Sequence, residues 1–350
     1  MNVKSLQKKL LILTPFLIGI GILLVLIGFV LGGAPGFRIG PSGIVTQKDK
    51  ASYVQEKTRF DPVDSMELQV SFGDIIFEES DDFYIEYRLT NSSSRPVYYI
   101  ENGTLIFNAE SKNTIPFINF DLPTINNDYL KIYMPSNTKL NHLSMDSASG
   151  NIVLSNAEIV DIDASVDFGN VDFTEIISEN INLKLSSGKA DLYQIETENL
   201  FINNDFGDIT IDHINMNLPL DKTSTITLQM SSGSLTMKNL YADSLIVSND
   251  FGSCEGQNMN ISELTMKLSS GTCNLDQLST NYASITNDFG STKLQLTEKE
   301  DAYDFILTTD FGKISINESK QGSSVIKERG DRNKIEIANS SGDIEIKTLK

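Results

Sequence analysis

The chain has little of what most catalytic centres are built from. Its 350 residues include two histidines, His142 and His213, and two cysteines, Cys254 and Cys273. It contains no C-x-x-C pair and no clustered histidines, which excludes the common zinc frameworks. Helical periodicity is absent after residue 31. Basic residues are scarce as well. Six of the 28 Lys and Arg and one of the 47 Asp and Glu lie in residues 1–50, leaving 22 against 46 and a net charge of −24 beyond them. A surface this acidic repels nucleic acid and anionic lipid headgroups, so no nucleic-acid partner is expected.

What is present repeats. Asp-Phe-Gly occurs at 167–169, 205–207, 250–252, 288–290 and 310–312. The same triplet binds magnesium in protein kinases, but a kinase needs it once, with a Gly-rich loop, a strand lysine and an H-R-D loop. None of these is here. Between the triplets stand Ser147-Ala148-Ser149-Gly150 and the Ser-Ser-Gly triplets ending at Gly188, Gly233, Gly271 and Gly342. From Gly150 to Gly342 the glycine spacings are 19, 19, 19, 26, 19, 19, 19, 22 and 30. The 26 contains a polar insertion over 219–225, and the 30 another over 321–333.

Aligned on the glycine, the positions seven and five before it are apolar in every unit, from Leu143 and Met145 to Ile335 and Ile337. The positions two and four after it are mostly apolar, from Ile152 and Leu154 to Ile344 and Ile346. A spacing of two is strand periodicity with one face buried. The glycine falls between the strands, where a tight turn needs its free φ. A unit this short cannot bury its own apolar face, so neighbours must stack. The sequence therefore predicts an all-β fold, a parallel β-solenoid or β-helix with about 19 residues per coil and coils about 4.8 Å apart. Right-handed winding is the general expectation for parallel crossovers. A 38-residue coil, with Ser-Ser-Gly on one side and Asp-Phe-Gly on the other, is the rival geometry.

Alternating Asp with Ser at the turn holds the carboxylates about 10 Å apart instead of about 4.8 Å, which relieves their repulsion. A Ser hydroxyl can also donate to the Asp beside it. The alternation breaks at Gly290 and Gly312, where one Asp-Phe-Gly follows another. Cys254 and Cys273 share a column in adjacent coils. They read either as two small buried residues or as a pair within disulfide reach.

Leu10–Leu31 is 22 residues without a charge, preceded by Lys4, Lys8 and Lys9. That length spans a bilayer, with the basic flank cytoplasmic. A cleaved signal peptide is the alternative, although Pro35 spoils the cleavage site. The expected layout is a cytoplasmic tail over 1–9, a transmembrane helix over 10–31 and a linker over 32–59. An extracytoplasmic ectodomain over 60–350 follows, with irregular cap coils over 60–142 and regular repeats over 143–350. The stretch 111–128 reads as a loop.

Units such as Phe206-Gly207-Asp208-Ile209-Thr210-Ile211 and Ser341-Gly342-Asp343-Ile344-Glu345-Ile346 carry a resemblance. Ser71-Phe72-Gly73-Asp74-Ile75 and the segment Tyr129–Leu140 add to it. Over residues 60–350 the chain resembles a bacterial β-strand-repeat family of unknown function labelled "putative adhesin". The resemblance implies a β-solenoid in the cell envelope behind one membrane helix, with no catalytic residues to carry over. Some members resemble accessory proteins of envelope stress systems.

The expected function is a non-enzymatic, adhesin-like binding or scaffold module of the envelope. Its partners would be the lipid bilayer, through the N-terminal helix, and a cell-wall polymer or envelope protein. The alternatives are an accessory of envelope stress signalling acting through a membrane protein and, further off, a polysaccharide-active enzyme. No catalytic, cofactor-binding or metal-ligating residue is assigned, and no cofactor is expected. The ladder of Asp167, Asp205, Asp250 and Asp288 offers oxygens suited to calcium. Against that, Asp commonly caps its own turn.

Overall fold

The computed structural model describes residues 52–90, 95–109, 128–136, 138–219, 221–330 and 332–350, and the backbone of strands Phe37–Gly40, Gly43–Thr46 and Ile118–Asn119. The expected membrane segment lies outside the described residues, as does most of the loop expected over 111–128. Strand Tyr53–Arg59 falls within the stretch read as a linker and pairs antiparallel with Tyr84–Leu89.

Parallel pairing at a 19-residue offset dominates. Ile152 pairs with Val171, Val171 with Ala190, and Ala190 with Ile209. One coil is therefore 19 residues, and the 38-residue alternative is excluded. Across the polar insertion the register is kept at an offset of 26, with Ile202 opposite Leu228. Each full coil is one bent strand of 17 residues, such as Ile152–Phe168, Ala190–Phe206 or Leu235–Phe251.

The bends sit at three places. Between Leu235–Phe251 and Cys254–Ser270 the ladder skips Asn239, Asp243 and Asp250. The first bend uses a left-handed residue six after the glycine, at Asn156, Glu175, Gln194, His213, Asn239, Asn258 and Gln277. At the second, a buried hydroxyl bridges two coils. Ser178 Oγ donates to the carbonyls of Val160 (3.0 Å) and Asn180 (2.9 Å), and Thr197 and Thr280 do the same one and five coils on. The third bend is the glycine corner.

The core runs the length of the stack as columns of Ile, Leu, Val and Met, with Phe173 and Phe305 fully enclosed. Cys254 and Cys273 are paired neighbours in one of these columns, buried and unbridged. Burial pushes the Cys254 thiol up to about 12 and Cys273 well above its ordinary value. They behave as small apolar side chains.

Both ends of the stack depart from chain order. At the C-terminal end, strand Asn333–Ser341 pairs parallel with Cys273–Phe289 on one side and with Tyr303–Phe311 on the other. Ile344–Leu349 sits likewise between Thr292–Lys299 and Ile314–Ile316. The last stretch of chain is thus the penultimate coil, and residues 303–316 form the outermost one. Beyond Phe289 the coils therefore do not stack in chain order.

The physical reason lies at the exposed edge. A terminal coil left open would offer unpaired backbone to another chain. Residues 303–316 turn back through Asn317 and Glu318, both at positive φ, as a tight hairpin turn requires. The returning strands Ser319–Lys320 and Ser324–Lys327 then pair antiparallel on the edge. At the other end, strand Thr104–Ala109 stacks parallel under Ser65–Val70, and Tyr129–Met134 under Asp74–Glu79. Antiparallel strands Val97–Glu101 and Tyr84–Leu89 close that edge.

Candidate functional site

The glycine corner is the most repeated feature of the surface, and its chemistry starts with the backbone. Gly207 has φ +140°, and a Cβ there would lie 1.8 Å from the Gly188 carbonyl oxygen. Gly290 is the same, at +150° and 1.7 Å from the Gly271 oxygen. A φ of +140° already lies far from the left-handed helical region that Asn tolerates. The carbonyl of the coil beneath, aimed at the Cα, leaves room for no side chain at all. The backbone N–H groups of the corner reach across in turn: Gly207 N donates to Ser232 O (3.0 Å) and Gly252 N to Ser270 O (2.9 Å).

Three residues before the glycine, a buried polar side chain serves the carbonyl below it. Nδ2 of Asn204, Asn249, Asn287 and Asn339 donates to the carbonyls of Gly188, Gly233, Gly271 and Gly290 at 3.0–3.3 Å. Thr309 Oγ1 donates to Gly342 O at 2.9 Å. A buried carbonyl without such a partner would cost free energy. One residue past the corner, Asx side chains cap the next coil. Asp74 accepts from Asn151 N (2.7 Å), Asn151 from Asn170 N, Asn170 from Lys189 N, and Asp208 from Ser234 N.

On the outside, the corner carries an exposed Phe in every second coil. In spatial order the corner glycines are 73, 150, 169, 188, 207, 233, 252, 271, 290, 342 and 312. The residues before them are Phe72, Ser149, Phe168, Ser187, Phe206, Ser232, Phe251, Ser270, Phe289, Ser341 and Phe311. The break in alternation seen along the chain disappears in space, because the Gly342 coil stands between those of Gly290 and Gly312. Exposure of the Phe rings is 38% at Phe72, 63–66% at the four middle rungs and 80% at Phe311. The intervening serines are half-buried.

The aspartates alternate with the same period. Ser269 Oγ donates to Asp250 Oδ1 (3.3 Å) and Ser340 Oγ to Asp288 Oδ1 (3.4 Å). The second bond exists only because the Gly342 coil is inserted beside that of Gly290. Asp167, Asp205, Asp250 and Asp288 are held two coils apart, so they are not brought together. Among the described residues no group of three or more His, Cys, Asp or Glu could hold a metal. His142 and His213 are likewise far apart in the stack. His213 sits at a left-handed bend, 2.8 Å from Asp212 Oδ1 and edge-on to Tyr193.

Two other polar features flank the stack. A shallow cleft of about 210 Å³ lies against the 219–225 insertion, lined by Asn215, Lys222, Tyr241, Asp243 and Ser262 among others. Beside Asn217, burial pushes the Glu196 carboxyl up, against the opposing bonds from Asn217 N and Nδ2. At the N-terminal cap, Glu86 accepts from Tyr129 Oη (2.6 Å) and Tyr133 Oη (2.8 Å), and the Tyr129 bond leads in holding it below the usual carboxylate range. Lys57 Nζ lies 3.8 Å over the Tyr133 ring. These contacts stitch antiparallel strands together.

A comparison with curated proteins finds no match to this chain. Among solved structures it is similar to a "putative lipid binding protein" from Parabacteroides distasonis, at 13% identity over 85% of this chain and 97% of that one, with a TM-score of 0.38. It is similar to a "putative adhesin" from Parabacteroides merdae, at 10% identity over 85% and 96%, with a TM-score of 0.36. A "putative cell adhesion protein" from Clostridium sporogenes is 10% identical over 86% and 100%, with a TM-score of 0.18. Two successive stretches, residues 63–217 and 212–348, match the Toastrack domain of unknown function. The stack of coils is built from two such matches end to end, and the chain belongs to the Toastrack DUF4097 family.

Proposed function

We propose that this protein is a non-enzymatic binding module of the bacterial cell envelope: a β-solenoid presented outside the membrane behind its N-terminal apolar segment. The observation that supports this reading is the corner ladder. A surface feature repeated along a rigid stack meets a repeated ligand at many equivalent points, and weak contacts then add. An enzyme needs one asymmetric constellation, in which nucleophile, acid and base differ from their surroundings. Here the exposed acidic groups recur with the coil period.

The test is sedimentation of the purified full chain, held in detergent micelles, with isolated cell walls and with intact cells. Saturable binding supports the reading. Absence of binding to either overturns it and transfers the role to a membrane-protein partner. Release of new reducing ends or soluble fragments from the walls would overturn the non-enzymatic part.

A further inference from the structure

We propose that the Phe ladder is the docking edge for an extended, uncharged or amine-bearing polysaccharide lying along the stack axis. This rests on the envelope-binding reading and names the ligand class for it.

Four observations converge. The first is exposure. Burying a Phe is among the larger gains a side chain can give to folding, yet six recur at the corner and the middle four are about two-thirds exposed. Ser occupies the same position in alternate coils, so the corner itself does not demand an aromatic ring. The second is period. Two coils are about 9.6 Å, and ten steps from Gly73 to Gly312 are about 48 Å. Rings that far apart cannot stack on one another. They are spaced to meet successive disaccharide units of an extended β-linked glycan, each offering one apolar sugar face per two coils of the stack.

The third is continuity. The period survives the reordering of the terminal coils, because the Gly342 coil enters between two Phe-bearing ones. Chain order alone would have set Phe289 and Phe311 side by side. The fourth is the face bordering the ladder. Across the middle coils it is paired in register and rich in hydroxyl and amide groups, with Thr227, Gln229, Ser248, Thr265, Ser284 and Thr286 in the same columns as Ile246 and Lys267. Such groups donate and accept to sugar hydroxyls.

Charge selects within the glycans. An Asp precedes five of the six ladder phenylalanines. An anionic polymer would bring like charges against that row, whereas a neutral or amino sugar would not. The same row disfavours an anionic lipid surface.

The experiment measures binding of the full chain to chito-oligosaccharides, acetylated and deacetylated, of increasing length. It is run with wild type and with the triple variant Phe206→Ser, Phe251→Ser, Phe289→Ser. Thermal melting confirms that the variant is folded, as Ser already stands at that place in neighbouring coils. Affinity should rise with each added disaccharide, and each lost rung should lower it about fivefold. Cell-wall binding by wild type that the triple variant retains unchanged would overturn the ladder proposal and leave the envelope reading standing. Binding confined to anionic polymers and abolished by salt would do the same. A dimer that the variant converts to monomer, without glycan binding, would assign the ladder to a second copy and overturn the proposal. Failure of wild type to bind either walls or glycans would overturn both.

Discussion

The middle of this molecule and its two ends obey the same pairing rules with different bookkeeping of chain order. From Leu143 to Phe289 each coil stacks on the one before it, and residue n meets residue n+19 or, across one insertion, n+26. At the C-terminal end the last segment to be made slips between two earlier ones. At both ends the outer coil is closed by antiparallel strands. A coil in the middle has neighbours on both sides and needs no special device. A coil at the end must hide one edge, and a hairpin made from its own continuing chain does so locally.

The difference predicts how each region fails. Ile202 is fully buried in the middle, and Ile202→Asp places a charge in the core without a partner. It should cost about 4 kcal/mol or more and cooperatively melt the stack. Val325, in a capping strand at the C-terminal end, is 7% exposed. Val325→Asp should fray the cap while the middle coils keep their melting temperature. Hydrogen exchange resolved by segment distinguishes the two, and loss of protection spreading equally from both would erase the contrast.

A backbone version of the same comparison comes next in size. Gly207→Ala must place a methyl against the carbonyl oxygen 1.8 Å away, at φ +140°. About 3 kcal/mol is expected from denaturant unfolding. Gly330, near the end, has φ +77° with nothing within 4 Å of its Cβ position. Gly330→Ala meets only the left-handed strain, about 1 kcal/mol.

Last comes an effect that is silent at neutral pH and arises in the middle coils. The thiols of Cys254 and Cys273 stay protonated when folded, chiefly through burial. The unfolded chain loses those protons first, so it binds fewer protons than the native state at alkaline pH, and stability falls as pH rises. The loss should begin near pH 9 and continue towards about 12. In a Cys254→Ala, Cys273→Ala variant this part of the alkaline decline should vanish in melting curves. An unchanged slope would show that the thiols do not contribute.

Much of this architecture was legible in the glycine ladder. The coil length, the parallel register, and the apolar columns on either side of the corner follow from the period of two around each glycine. The column seven after the glycine, with Ile176, Ile195, Leu240, Met259 and Leu278, was hidden. The left-handed residue just before it consumes one position and shifts the phase, and Glu, Gln and Asn at that place give no warning in a single sequence. The burial of the Asn in the N-D-F-G stretches, at Asn204 and Asn249, was not legible, because its partner is a carbonyl in another coil. The order of the terminal coils was invisible for a related reason. Parallel strands of equal pattern can stack in more than one sequence. A clue was present: a repeat that places Asp-Phe-Gly directly after Asp-Phe-Gly violates its own alternation, and inserting the last Ser-Ser-Gly coil restores it. The Phe of the ladder was visible as a repeated motif, but its exposure and evenness needed the spatial order.

The most direct test of that order is a set of cysteine crosslinks in a background lacking Cys254 and Cys273. Ala338 is paired with Thr286 on one side and with Thr308 on the other. Ala338→Cys should therefore form a disulfide with Thr286→Cys and, in a separate variant, with Thr308→Cys. The Thr286→Cys, Thr308→Cys pair, two coils apart at about 9.6 Å, should not crosslink. Ready crosslinking of that last pair, with none from Ala338→Cys to Thr286→Cys, would mean that the coils follow chain order and that the ladder is broken at its end.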